Sequence, residues 1–69
     1  MDQYYVNRNK DVQGDNEVHK EGCRWLPNVE NRVSLGNCSN CQEAVRKAKA
    51  MGYHNANGCV HCSSACHTS

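Results

Sequence analysis

Sixty-nine residues with six cysteines, one tryptophan, no phenylalanine and only 38% hydrophobic residues cannot fill a generous apolar core. At this length apolar burial barely offsets a chain entropy of roughly 1.5 kcal/mol per residue, so a disulfide or metal staple is expected. Eight Lys and Arg against seven Asp and Glu leave a formal charge of +1, which offers no electrostatic funnel for nucleic acid.

The chain starts Met1-Asp2-Gln3-Tyr4-Tyr5 with no apolar run behind it, so neither a leader nor a membrane segment is expected. The expected setting is the reducing cytoplasm. Thiols tend to remain thiols there, and dense cysteine reads as metal binding rather than as a disulfide framework, although an even count of six would permit one.

Tyr4-Tyr5-Val6-Asn7 is β-prone, Asn9 to Asn16 is dense in turn formers, and Glu17-Val18-His19 can run back as the second strand of a hairpin. Such a hairpin leaves His19 and Cys23 at its end in a His-x-x-x-Cys spacing, with Gly22 between them. Trp25 and Leu26 form the largest apolar pair and are expected to lid the core, and Pro27 precludes a central strand there. Arg32-Val33-Ser34-Leu35 alternates as a half-buried strand does, ended by Gly36, and is expected to pair with the hairpin.

Two overlapping capping patterns, Ser39 with Gln42 and Asn40 with Glu43, open a helix over about 40 to 51. Its positions Cys41, Ala44, Val45 and Ala48 follow i, i+3, i+4, i+7, while Arg46, Lys47 and Lys49 face water. Gly52 is placed to cap the end, with Tyr53 folding back onto the last turn. Residues 55–58 read as loop and His54 as a solvated side chain. The fold class is therefore α+β: residues 1–69 as one domain, a three-stranded antiparallel sheet with one main helix, and a C-terminal knuckle followed by a short helical turn.

That knuckle, Gly58-Cys59-Val60-His61-Cys62, carries the chemistry, because a Cys-x-x-Cys turn folds the backbone so that two thiolates face one ion. A closed tetrahedral zinc site needs two more ligands, and two quartets compete. One takes His19 and Cys23 with Cys59 and Cys62. The other takes Cys38 and Cys41 with Cys59 and Cys62, a zinc-ribbon spacing on its face. The second has the better spacing, but Cys41 falls on the apolar stripe of the helix and Cys38 stands where a core residue would sit, so both also read as small buried hydrophobes.

Tyr4-Tyr5-Val6-Asn7, Val18-His19-x-x-x-Cys23, Asn31-Arg32-Val33-x-Leu35-Gly36, Glu43-Ala44 on a short helix ending in Gly52-Tyr53, and Cys59-x-x-Cys62 together resemble the metal-binding domain of the Ada DNA-repair methyltransferases. They resemble still more closely the small Ada-like zinc modules appended to some bacterial nucleases. The resemblance implies a bacterial domain spanning residues 4 to 62 with one zinc ion held by His19, Cys23, Cys59 and Cys62. It departs at the first ligand, which in Ada is a methyl-accepting cysteine and here is His19, unable to do that chemistry. Cys66 and His67 also lie past the family pattern, where they can replace a ligand, bind a second ion with Cys41, or merely pack.

Three readings of function follow. In the first the zinc is structural and the domain, expected to be a monomer, binds or scaffolds a protein or nucleic-acid partner. In the second it is an Ada-type nucleic-acid module without methyl acceptance, using Arg24, Arg32, Arg46, Lys47 and Lys49, although those charges also suit a solvated helix face and strand edge. In the third, Cys59-Val60-His61-Cys62 is a thiol redox motif, a form in which a helix N-terminus and the histidine lower the thiol pKa. Covalent haem is disfavoured because Ser63, not histidine, follows Cys62. With no nucleophile and base at a defined spacing and no paired carboxylates in a pocket, no enzyme is expected.

Overall fold

The computed structural model describes residues 1–68. Strand β1 (Asp2–Asn7) and strand β2 (Asn16–Lys20) form the expected hairpin, antiparallel with Tyr5 opposite His19 and Val6 opposite Val18. The long connection is closed by Asp11, whose Oδ1 accepts from the amides of Gln13 and Asp15, both at 2.9 Å, as short acidic side chains do in turns. Strand β3 (Arg32–Cys38) lies antiparallel on the outer side of β1. It runs on through Gly36, which sits at φ 76° beside an irregularity where Leu35 is the extra residue against Tyr4 and Tyr5. Gly36 therefore bends the strand rather than ending it.

Helix α1 (Cys41–Ala50) starts on Asn40, whose side chain accepts from the Glu43 amide at 2.9 Å, while Glu43 reaches back to the Ser39 amide at 2.6 Å. The Asn40 and Glu43 pattern thus sets the start. At the other end Gly52 takes φ 105°, its amide bonds to Lys49 O and the Tyr53 amide bonds to Ala48 O, the paired bonds of a Schellman cap. A side chain at position 52 would be strained in that conformation, which explains the glycine. Cys41, Ala44 and Ala48 are buried and pack with Tyr4, Val6, Val18, Leu35, Cys38 and Ala56 in the core. Small residues on the inner helix face let the helix approach the sheet closely.

The sheet differs from expectation in having four strands, ordered β3-β1-β2-β4, and in being mixed. Strand β4 (Ala56–Gly58), expected as loop, pairs parallel with β2, Asn16 beside Ala56 and Val18 beside Gly58. A parallel neighbour needs a crossover, and residues 21–55, including β3 and α1, supply it. Ala-Asn-Gly has little β propensity of its own, so this strand is fixed by docking rather than by local preference. The expected turn after the knuckle is a short 3-10 turn at Ser64–Cys66. Among the described residues no helix is long and apolar enough to cross a membrane.

Trp25 departs from its expected place over the core. It is 56% exposed and stacks on the His61 ring, centroids 5.1 Å apart. Leu26 is half-buried and lies outside the core cluster. The core is already closed by the helix, and the indole finds its flat partner in the C-terminal knuckle instead.

Candidate metal centre

Parallel pairing of β2 with β4 decides the site. Val18 lies beside Gly58, and the Cys59 amide donates to Val18 O at 2.9 Å, so the first knuckle cysteine arrives alongside His19. Strand alternation sends Val18 into the core under the helix and turns Glu17 and His19 to the other face. Two turns then fold over His19. Residues 20–23 close through the Cys23 amide on Lys20 O at 3.1 Å, and residues 59–63 through the Ser63 amide on Cys59 O at 2.8 Å. Each turn delivers a thiol to the same point.

The ligand atoms of His19, Cys23, Cys59 and Cys62 lie within 4.8 Å of one another. His19 Nδ1 is 3.7 Å from Cys23 Sγ and 3.8 Å from Cys62 Sγ. A tetrahedral ion with metal–sulfur bonds of about 2.3 Å spaces its ligand atoms by about 3.8 Å, so these separations suit one ion at the centre. His19 and Cys59 are each 1% exposed, which leaves their donors out of competition with water. The four residues could hold one metal ion.

The surroundings favour that chemistry. Burial lowers the His19 pKa below its ordinary value, keeping the ring neutral, the form that ligates. Its other nitrogen, Nε2, is 3.5 Å from Glu17 Oε1, so a carboxylate backs the histidine from behind. Because the ring is neutral, this contact orients the imidazole rather than forming a full ion pair. Burial, followed by the neighbouring Cys23, pushes the Cys62 thiol up to about 12. Without a cation that thiol keeps its proton; a bound metal would displace it. The Lys20 amide points at Cys62 Sγ from 3.4 Å, a donor ready for a thiolate.

The competing ribbon quartet is not assembled. Cys41 is joined to Cys66 in a disulfide, and Cys38 is fully buried with its thiol 3.8 Å from Leu35 O. The bond also settles the tail. Cys66 neither replaces a ligand nor shares an ion with Cys41, and His67 Nδ1 donates to Gly58 O at 3.0 Å. His54 is exposed, as expected.

Sequence reasoning missed three features here. Glu17 was detectable, since it stands two residues before His19 on a strand and so shares its face. The Trp25 and His61 stack was not, because it depends on where two separate loops meet. The Cys41–Cys66 pair had a partial signal, an inward cysteine on the helix and an odd cysteine past the knuckle. Ser63 Oγ is buried with no hydrogen-bond partner among the described residues, directly after Cys62. Comparison with protein-family models, curated proteins and solved structures finds no significant match to the chain.

Proposed function

We propose that the chain is a small structural zinc module of Ada-like type, in which His19, Cys23, Cys59 and Cys62 hold one Zn²⁺ and the domain serves as a binding or scaffolding unit rather than an enzyme. The observation that carries this reading is the convergence of three thiols and one neutral imidazole within 4.8 Å. A set of three sulfurs and one nitrogen suits zinc, and four protein ligands leave no open position for substrate. The bound ion would supply cross-linking: it would tie the end of the hairpin to the end of the chain in a domain with little core.

The Ada resemblance supports the ligand assignment through the His-x-x-x-Cys and terminal Cys-x-x-Cys spacings. With His19 at the first position, methyl transfer to a zinc-bound cysteine there is not part of the proposal. We place the protein in the cytoplasm as a monomer with a protein or nucleic-acid partner. Its free thiols favour that location, and the Cys41–Cys66 bond is the feature that points instead to oxidising surroundings.

The redox reading is weaker on physical grounds. A thiol oxidant needs a lowered cysteine pKa, usually at a helix N-terminus, whereas Cys62 is raised and only a three-residue 3-10 turn follows it.

Chelation tests the proposal. Binding free energies of about 10 to 16 kcal/mol for structural zinc exceed what so small a core supplies, so excess EDTA should unfold the domain. Amide signals that stay dispersed after zinc has left would refute a structural role.

A further inference from the structure

A second feature lies away from the metal centre. The β1–β2 connection and the turn after α1 form a cleft of about 240 Å³ lined by Arg8, Lys10, Asn16 and residues 52–55. Its walls are tied together: the Asn16 amide donates to Asn55 O at 3.1 Å and Asn55 Nδ2 to Gly14 O at 3.2 Å. Asn16 is itself buried and braces the Arg8 wall, with Nδ2 donating to Asn7 O at 3.0 Å. The cleft is therefore preformed.

Charge is gathered there without compensation. Two cations and a histidine line the cleft and, among the described residues, no carboxylate does, although the chain as a whole is close to neutral. The nearest acids in sequence are engaged elsewhere. Asp11 caps its own turn, and Asp15 Oδ2 accepts from Asn57 Nδ2. Arg8 spends one donor on Glu30 O at 3.2 Å, leaving the rest of its fork. At the end of α1, next to the cleft in the chain, the Gly52 and Tyr53 amides bond to Lys49 O and Ala48 O, so these two carbonyls are engaged within the cap. Tyr53, half-buried against the core, adds an aromatic wall beside these charges.

We propose that this cleft binds a phosphate monoester carried on a single flat ring. A guanidinium fork and an ammonium are the usual phosphate partners, and an aromatic wall next to them suits a stacked ring. The volume sets the size. It falls below the roughly 300 to 1,000 Å³ of pockets for drug-sized ligands, so a one-ring ester fits and a dinucleotide does not. The proposal does not rest on the metal reading, because the residues that line the cleft and the four residues of the cluster do not overlap.

The test is an amide NMR titration of the folded chain as purified, with whatever metal it carries, with phenyl phosphate, inorganic phosphate and phenol. Phenyl phosphate should shift the amides of Arg8, Lys10 and 52–55 saturably, inorganic phosphate should act at the same amides about tenfold more weakly, and phenol should leave them unmoved. Lys10→Gln should weaken phenyl phosphate about tenfold, and Lys49→Gln on α1 should not. Arg8→Gln should match Lys10→Gln. No saturable shift up to roughly 10 mM would overturn the proposal, as would equal losses in Lys10→Gln and Lys49→Gln, which would signify net charge alone. Equal binding of a short single strand lacking terminal phosphates would overturn it too, because the cleft would then be reading a backbone.

Discussion

Cys23 and Cys38 carry the same thiol in opposite surroundings. Cys23 Sγ faces His19 Nδ1 at 3.7 Å, whereas Cys38 is fully enclosed by core and its thiol points to the backbone oxygens of Leu35 and Gly36. Cys23→Ser should therefore remove most of the metal, while Cys38→Ala should cost about 1 kcal/mol and leave zinc per chain unchanged. Metal analysis with thermal melts on the two variants checks this, and the reverse pattern would move the site to the ribbon quartet. His19 adds a pH dependence. Its pKa is lowered on folding, so the unfolded chain binds the proton more readily and the stability from the neutral ring is present above about 6.5 and lost as pH falls below it. Metal ligation works in the same direction. Glu17, raised by burial, works in the opposite sense but nearer the carboxylate range. Melting temperature and bound metal should fall together between about pH 7 and about pH 5, and a melting temperature that rises on this acidification would contradict the role given to His19.

Among the elements, α1 and the hairpin were legible because local signals agree with the fold: an apolar stripe at helical spacing, Asn40 and Glu43 at the start, and Gly52 at the end. Strand β4 was not legible. Three residues of low β propensity pair only because the tail beyond them is pinned, by Cys66 to Cys41, by His67 to Gly58 O, and by the Thr68 amide to Asn57 Oδ1 at 3.1 Å. Gly58 is the point of closest approach. A Cβ there would meet Ser63 O at 2.5 Å and Cys66 Cβ at 2.6 Å, the first of them backbone that cannot swing aside. Gly58→Ala should thus destabilise the domain by about 2 to 3 kcal/mol and loosen the Cys59 and Cys62 turn. Hydrogen exchange at the Cys59 and Ser63 amides reads that loosening, and protection equal to the parent chain would show that the tail has no hold on the site.

For the molecule as a whole, composition alone announced a staple, and the fold holds one disulfide and, at a different place, a cluster that could hold a metal ion. The disulfide joins α1 to the 3-10 turn at Ser64–Cys66, and a metal ion in the four-residue cluster would join β2 and its following turn to the knuckle. Ligand spacing made the second legible, since His-x-x-x-Cys at a hairpin end and Cys-x-x-Cys after a glycine are short-range patterns. The parallel register that brings them together was invisible, because it depends on a crossover of 35 residues whose path no local signal fixes. The central claim is that these two short patterns share one zinc ion. X-ray absorption at the zinc edge, on protein purified without added metal, reads it directly. Three sulfurs at about 2.3 Å and one nitrogen at about 2.0 to 2.1 Å are predicted; four sulfurs, an oxygen ligand in place of the nitrogen, or protein free of zinc would contradict it.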